Sequence, residues 1–169
     1  MNQDFLIEMG FPGLTGRLKR LSDSFVYSTR EYYRSHGLEI EPNWHMIFLL
    51  LKKNKQLTIT EIAEALHLTH PAIVQLVNKM KKKGYITATK DPKDQRKSQL
   101  MLSKKALNKL PEIETYWKAG NKGLEEIMEH RDHILKELSI LENNLEKEDF
   151  KERSERILKV LSQKQSSST

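Results

Sequence analysis

The sequence predicts a mainly α-helical protein with one small β-hairpin, and local patterns within residues 57–103 carry that prediction. Thr58, followed three residues later by Glu61, is a capping box, in which each side chain satisfies a backbone donor at a helix start. A second helix carries an apolar stripe, and beyond it apolar residues alternate with polar ones on both sides of a polar loop. We therefore expect two short helices followed by two antiparallel strands.

The first of these helices should begin near Ile59 and end at a tight turn. Its inward residues are Ile62, Ala63 and Leu66. The helical spacing is lost between Leu66 and Leu68, and Thr69 then supplies a cap for the next helix. Two helices separated by so short a turn are typical of a helix-turn-helix.

The second helix has an apolar face and a polar face. Its apolar face is formed by Ile73, Leu76, Val77 and Met80. The opposite face, with its flanks and first turn, is formed by Thr69, His70, Pro71, Val74, Gln75, Asn78, Lys79 and Lys82. Amides can pair with adenine edges, proline and valine can contact thymine methyl groups, and lysines suit phosphates, so this face is a candidate for reading DNA. His70 stays open between a contact with DNA and simple exposure to solvent.

The hairpin follows Gly84, which can end the second helix in the left-handed conformation. Ile86 and Ala88 lie on its first strand, and Leu100 and Leu102 lie on its second. The loop over residues 91–97 contains Asp and Pro to turn the chain and three cations beyond the strands. Its candidate DNA contacts are Lys93, Asp94, Arg96 and Lys97. Arg96 suits a narrow minor groove, and Asp94 can hold its guanidinium in place.

The region resembles the winged helix of the MarR family of bacterial transcription regulators. Asp94 and Arg96, followed at the family spacing by Leu102 and Ser103, match the signature D-x-R-x-x-x-x-x-L-(S/T), and Asp91 with Pro92 precedes it. The resemblance extends from about Leu14 to Leu161. Two positions depart from the family pattern, because His67 stands where glycine is frequent and Gln75 stands where arginine is frequent. The operator preferred by typical members therefore cannot be carried over.

The resemblance implies a winged helix-turn-helix joined to a helical dimerisation region. It also implies a homodimeric transcription regulator, of the repressor kind, that binds a double-stranded DNA operator and responds to a small aromatic or anionic effector. The alternative is a winged helix that serves as a protein-interaction module or an architectural DNA-binding module without a ligand response. Binding to duplex DNA discriminates the DNA-binding functions from the protein-interaction one.

Charge is distributed unevenly along the 169 residues. Residues 52–105 contain thirteen Lys and Arg against four Asp and Glu, whereas the segments before and after are slightly acidic. An ordinary solvated surface would spread such an excess along the chain, so nucleic acid is the expected partner. The chain has no cysteine, which excludes disulfides, thiolate metal sites and thiol-based redox control.

Several other classes of function are not expected. The longest apolar run, residues 46–51, is far shorter than the roughly 20 residues that cross a bilayer, and no signal peptide opens the chain. A cytoplasmic protein is therefore expected. Neither a catalytic triad nor a glycine-rich phosphate loop is present, so we expect neither an enzyme nor a cofactor.

The chain is expected to divide into four regions. Residues 1–40 form an irregular arm, up to residue 13, and a helix from Leu14 to about Ser35 that contributes to dimerisation. Residues 41–103 form the DNA-binding region, opened by a buried core helix that starts at Pro42. Residues 104–162 form a helical dimerisation region that Ser103 caps, and residues 163–169 form a disordered tail.

Apolar residues near the C-terminus recur at alternating three- and four-residue steps, interrupted only by Arg131. The proposed dimer interface comprises Leu124, Ile127, Ile134, Leu138, Leu141, Leu145, Leu158 and Leu161. Such a seam needs a partner helix. That partner lies in the same chain or in a second copy, and the family resemblance favours a homodimer, with half-sites about one DNA turn apart.

Two further groups of residues have functional and structural interpretations. An effector pocket between the dimer helices and the winged helix would be bordered by Tyr32, Tyr33, Trp44, His45, Phe48 and Trp117. Aromatic residues at helical spacing are, however, more often core residues than ligand walls. The spacing of Glu126, Glu129, His130 and His133 is compatible with zinc, although a solvated charged face is the simpler interpretation and no metal is expected.

Overall fold

The computed structural model describes residues 4–90 and 98–166. The chain divides into two compact units, Met1–Lys118 and Ala119–Thr169. Within the described part, no helix is long and apolar enough to cross a membrane. Eight α-helices and three strands occur there in the order α1 (Phe5–Glu8), α2 (Leu14–Ser35), α3 (Trp44–Asn54), β1 (Gln56–Leu57), α4 (Ile59–Leu66), α5 (His70–Lys82), β2 (Ile86–Lys90), β3 (Ser98–Leu102), α6 (Lys104–Ile127), α7 (His133–Lys147) and α8 (Phe150–Ser166).

The N-terminal arm is ordered, so the prediction of an irregular segment up to residue 13 is wrong over residues 4–13. It contains α1 and a 3₁₀ turn, Phe11–Gly13. Asp4 accepts a hydrogen bond from the backbone N–H of Leu6 at 3.1 Å and pairs with Arg20 of α2 at 2.6 Å. A Cβ atom at Gly13 would lie 2.0 Å from the carbonyl oxygen of Leu6, so only glycine permits this packing. The arm therefore packs on α2 through specific contacts.

The core of the first unit surrounds α3, as the sequence predicts. Trp44, Ile47, Phe48 and Leu51 are almost fully buried there. This helix begins at Trp44, two residues after Pro42. The largest fully buried side chains that the other elements contribute are Ile62, Ile73, Val77, Met80, Leu100 and Ile113. Every element of the helix-turn-helix and the hairpin thus contributes to one core.

The helix-turn-helix forms as its local signals predict. The backbone N–H of Glu61 donates to the Thr58 hydroxyl at 3.2 Å, and the Glu61 carboxylate accepts from the backbone N–H of Thr58 at 2.7 Å. Thr69 caps α5 by accepting from the backbone N–H of Ala72. Between the two helices, His67 adopts the left-handed conformation with φ of 50°. Glycine, which is frequent at this position in the MarR family, adopts this conformation without strain. The side chain of His67 makes the same conformation less favourable.

The sheet has three antiparallel strands in the order β1-β3-β2, one more than the predicted hairpin. The additional strand, β1, pairs Gln56 with Met101 and Leu57 with Leu100. The predicted hairpin forms, with Ile86 opposite Leu102 and both side chains buried. Ala88 lies on β2 as predicted, and its side chain is exposed.

The second unit contains a break that the apolar spacing did not reveal. The prediction of one uninterrupted apolar seam from residue 124 to residue 145 is wrong, because α6 ends at Ile127 and α7 begins at His133. Glu129 and His130 turn the chain with φ of 49° and 55°. No residue of α7 is buried, so its apolar face lies open to solvent in the single chain.

Helix α8 follows α7 through a joint centred on Glu148. Arg156 donates two hydrogen bonds of 2.8 Å to its carboxylate, and this pairing lowers the pKa of Glu148. Asp149 accepts from the backbone N–H of Glu152 at 2.8 Å and so caps α8. The helix continues to Ser166, so the prediction of a disordered tail is wrong over residues 163–166, while residues 167–169 lie outside the described part.

The turn at His67 gives a stability prediction. His67→Ile should lower the free energy of unfolding by about 1 to 3 kcal/mol, because a β-branched side chain is strained at positive φ. His67→Gly should cost little or stabilise, because glycine relieves that strain and loses some of the gain as chain entropy. Urea unfolding measures both changes. Glu64→Ile, on the exposed surface of the ordinary helix α4, is the control, and an equal loss there would contradict a conformational cause.

Candidate nucleic-acid interface

Helix α5 has one buried face and one exposed face. Ile73, Val77 and Met80 are fully buried. The structure places Pro71, Gln75, Asn78, Lys79 and Lys82 in exposed positions and Val74 in a half-buried one, as the helical spacing predicts. The buried face fixes the rotation of the helix, so the opposite face must lie outward. Amide and ammonium groups are therefore presented together on a surface with a fixed orientation.

The first turn of α5 brings the remaining predicted contacts of this helix to the same surface. Thr69 and His70 are exposed, and Pro71 occupies the first turn. The Thr69 hydroxyl already accepts the capping hydrogen bond from Ala72, so its first role is structural. Backbone N–H groups at a helix start favour anions such as phosphates.

The last turn of α5 is rich in lysine, and its lysines have different surroundings. Lys83, directly after the helix, lies 3.6 Å from the carboxylate of Glu39. Within residues 4–90 and 98–166, no carboxylate pairs with Lys79 or Lys82. These two ammonium groups are therefore available for phosphates, whereas Lys83 is partly neutralised within the chain.

The C-terminal end of α5 is tied to the start of α6. Gly84 has φ of 76° and ends the helix, as predicted. The Ser103 hydroxyl donates to the Gly84 carbonyl at 2.6 Å and accepts from the backbone N–H of Ala106 at 3.1 Å. The Lys105 ammonium donates to the Lys83 carbonyl at 2.9 Å and lies 4.6 Å from the centre of the Tyr85 ring. Two helices are thus joined at one point.

Sequence reasoning predicted only part of this joint. The family spacing identified Ser103, and its capping of α6 is confirmed. Lys105 and Tyr85 were missed, because their contact depends on how the hairpin packs and not on local spacing. Tyr85 is only 2% exposed, and burial raises the pKa of its hydroxyl, with Glu39 and Glu112 adding to the shift. An uncharged tyrosine therefore faces the Lys105 ammonium.

The hairpin presents the ends of its loop at a fixed register. Lys90 lies opposite Ser98, where β2 and β3 end their pairing. The predicted contacts in the loop lie outside the described residues; they are Lys93, Asp94, Arg96 and Lys97.

The six residues predicted to border an effector pocket belong to one aromatic cluster in the first unit. Tyr33, Trp44 and Phe48 are buried, Tyr32 and Trp117 are half-buried, and His45 is exposed. Ring centres lie 5.8 Å apart for Phe48 and Trp117 and 6.3 Å apart for His45 and Trp117. The interpretation of these aromatic residues as core residues thus applies to Tyr33, Trp44 and Phe48.

Two polar groups within this aromatic cluster lack partners in the described part of the chain. The indole N–H groups of Trp44 and Trp117 are buried and have no hydrogen-bond acceptor there. Burial raises the pKa of the Tyr33 hydroxyl, and the nearby Trp117 indole offsets that shift only in part. Buried donors of this kind are normally satisfied by water or by a bound group.

The acidic and histidine residues around the α6–α7 turn are not assembled as a metal site. The structure does not bring Glu126, Glu129, His130 and His133 into a common group of ligands. No group of three or more potential metal ligands occurs within residues 4–90 and 98–166. Glu129 instead pairs with Arg131.

Comparison with known proteins finds a match to the same family over part of the chain. The MarR family profile matches residues 38–97, which include α3, β1, the helix-turn-helix, β2 and the loop over residues 91–97. Over these residues the chain is similar to the MarR family. The match ends before β3. No curated protein matches the chain.

Three solved structures illustrate that likeness. The repressor CouR bound to a 23-mer DNA duplex is 24% identical, with a TM-score of 0.63 over 74% of this chain and 89% of CouR. The Staphylococcus aureus MepR–DNA complex is 19% identical, with a TM-score of 0.62 over 76% and 97% of the two chains. Streptomyces coelicolor PcaV with its natural ligand is 15% identical, with a TM-score of 0.62 over 88% and 98%. At these identities the likeness shows the MarR fold alone.

The two kinds of side chain on α5 give a testable distinction. Asn78→Ala should weaken binding by about 1 to 3 kcal/mol for duplexes that carry its base and little for others, because an amide reads a base edge. Lys82→Ala should weaken binding to all sequences alike and lower the salt slope by about one, because an ammonium contacts phosphate. Titrations of several duplexes across a salt series measure both effects. Sequence-dependent loss from Lys82→Ala would contradict its role.

Proposed function

We propose that this protein is a sequence-specific, double-stranded DNA-binding transcription regulator of the MarR type, acting as a repressor. The outward face of α5 carries the proposal, because its amides and lysines are held in place by a fully buried opposite face. Gln75 and Asn78 read bases, while Lys79 and Lys82 bind phosphates. Arg96, with Asp94 two residues before it in the sequence, enters the adjacent minor groove.

The charge distribution supports DNA as the partner. The excess of Lys and Arg falls within residues 52–105, which contain both the helix-turn-helix and the loop between β2 and β3. The segments on either side are slightly acidic. Because the basic charge is confined to the helix-turn-helix and this loop, it favours binding of a polyanion there. A charge spread over the whole chain would favour only non-specific attraction.

We further propose that the regulator is a homodimer through its N-terminal arm, α2 and its C-terminal helices. The support comes from apolar side chains that the single chain leaves uncovered. On α2 these are Leu14, Leu18, Leu21 and Phe25, and towards the C-terminus they are Leu124, Ile127, Ile134, Leu141, Leu145, Leu158 and Leu161. Apolar patches of this extent mark interfaces in soluble proteins. Two copies would then present two winged helices to half-sites about one DNA turn apart.

Selection from random duplex DNA at about 150 mM salt tests the regulator directly. We expect a palindrome with half-sites about one helical turn apart, because two recognition helices are related by a two-fold axis. Arg96→Ala should then weaken binding to the selected sequence by about 1 to 3 kcal/mol. Binding without any enriched sequence would indicate an architectural role, and no binding at all would favour a protein-interaction module.

We also propose that a small aromatic or anionic effector binds at the aromatic cluster and lowers DNA affinity. The support comes from the buried indole N–H groups of Trp44 and Trp117, for which the described residues provide no acceptor and which a bound anionic group would satisfy. Because Trp44 and Trp117 are the chain's two tryptophans, intrinsic fluorescence reports on this cluster alone. Titration with benzoate should give a saturable change and weaken operator binding. Trp117→Phe should abolish the effect of benzoate on operator binding. An unchanged effect in this variant would place the ligand elsewhere.

A further inference from the structure

The end of the recognition helix α5 is held from α6 by several contacts. The Lys105 ammonium donates to the Lys83 carbonyl at 2.9 Å and lies 4.6 Å from the Tyr85 ring centre. Beside it, the backbone N–H of Ser103 donates to the Tyr85 carbonyl at 2.9 Å. Lys105 therefore contacts Lys83 and Tyr85, the residues on either side of Gly84, at the exit of α5.

Each contact of Lys105 has a physical reason. Lys83 follows the last residue of α5, and the last carbonyls of a helix have no partner within the helix. An ammonium satisfies such a carbonyl and complements the negative end of the helix dipole. The same ammonium over the face of Tyr85 is a cation–π contact. The Lys105 ammonium therefore stabilises both the end of α5 and Tyr85, which directly precedes β2.

Tyr85 connects this contact to the core. Its ring centre lies 5.8 Å from that of Trp44 and 5.5 Å from that of Phe48, both on the central helix α3. A ring held between two buried aromatic residues has little freedom to move. Lys105 thus links the end of α5 to a buried ring in the core.

We propose that Lys105 is a positioning residue for the DNA interface: it fixes the last turn of α5, and with it Asn78, Lys79 and Lys82, without contacting DNA itself. The inference rests on the proposed DNA-binding function. Contacts to bases require side chains held within about 0.5 Å of the productive geometry. Loosening the last turn therefore weakens recognition even when the reading side chains are unchanged.

Three lysine-to-methionine variants separate positioning from charge, because each removes one positive charge and retains an apolar stem. Lys82→Met removes a proposed phosphate contact. Lys52→Met is the matched control, because Lys52 pairs with Glu114 away from α5. Lys105→Met tests the proposal. For each variant, binding to the selected operator and to random duplex is measured across a salt series at 25 °C, together with thermal unfolding.

We expect Lys105→Met to bind the operator about tenfold more weakly, below the roughly hundredfold that a 1 Å misplacement can cost an active site. Its salt slope should equal that of the unaltered protein, and random-duplex binding should change no more than in Lys52→Met. Lys105→Arg should restore most of the affinity, because a guanidinium can donate to the same carbonyl and stack on Tyr85.

Three results would overturn the proposal. A salt slope lowered by about one would make Lys105 a phosphate contact. A lowered melting temperature with unchanged operator affinity would make its role purely structural, because a protein still folded at 25 °C binds normally. An unaltered protein that binds no duplex would remove the DNA-binding function and this inference together, a failure distinct from the other two. Lys105→Gln repeats the test if the methionine variant does not fold.

Discussion

The burial of one face of α5 is the constraint on which the interface depends. Ile73, Val77 and Met80 are fully buried, so the helix cannot rotate without exposing them to water. Burying each such side chain is worth about 1.5 to 3 kcal/mol, which is large compared with any single polar contact on the outer face. The direction of Gln75 and Asn78 is thus set by residues that never meet a ligand.

The joint at Ser103 shows how few groups are needed to connect the elements around that helix. A single hydroxyl, with its residue 9% exposed, donates to the end of α5 and accepts from the first turn of α6. Both of its hydrogen-bonding functions are satisfied, so its burial costs little. The small serine side chain suits this position, because the hairpin brings the two helix ends together there.

The sequence predicted the elements whose signals are local. The capping box at Thr58, the cap at Thr69 and the left-handed glycine at Gly84 each act over three or four residues, and all three form. The helix predicted from Leu14 to about Ser35 has those bounds. The polar residues on the outer face of α5 were also predicted from helical periodicity, because an apolar stripe determines where the opposite face must lie.

The elements that sequence reasoning missed depend on tertiary contacts or on unusual backbone conformations. Strand β1 has only two residues and exists because β3 is present to pair with it. The break between α6 and α7 contains neither glycine nor proline, and Glu129 and His130 adopt positive φ instead. The last turn of α8 was missed because residues 163–166 are all polar. The partners of Lys105 lie about twenty residues away in sequence.

The position of β3 between β1 and β2 has a consequence for how the protein can evolve. The strand that leaves the loop is paired on both sides, and Lys90 opposite Ser98 closes the ladder at the loop's base. Insertions or substitutions between these two residues therefore leave the register of the sheet and the core unchanged. The sequence of this loop and that of the outer face of α5 can therefore change independently, because neither sets the register of the sheet.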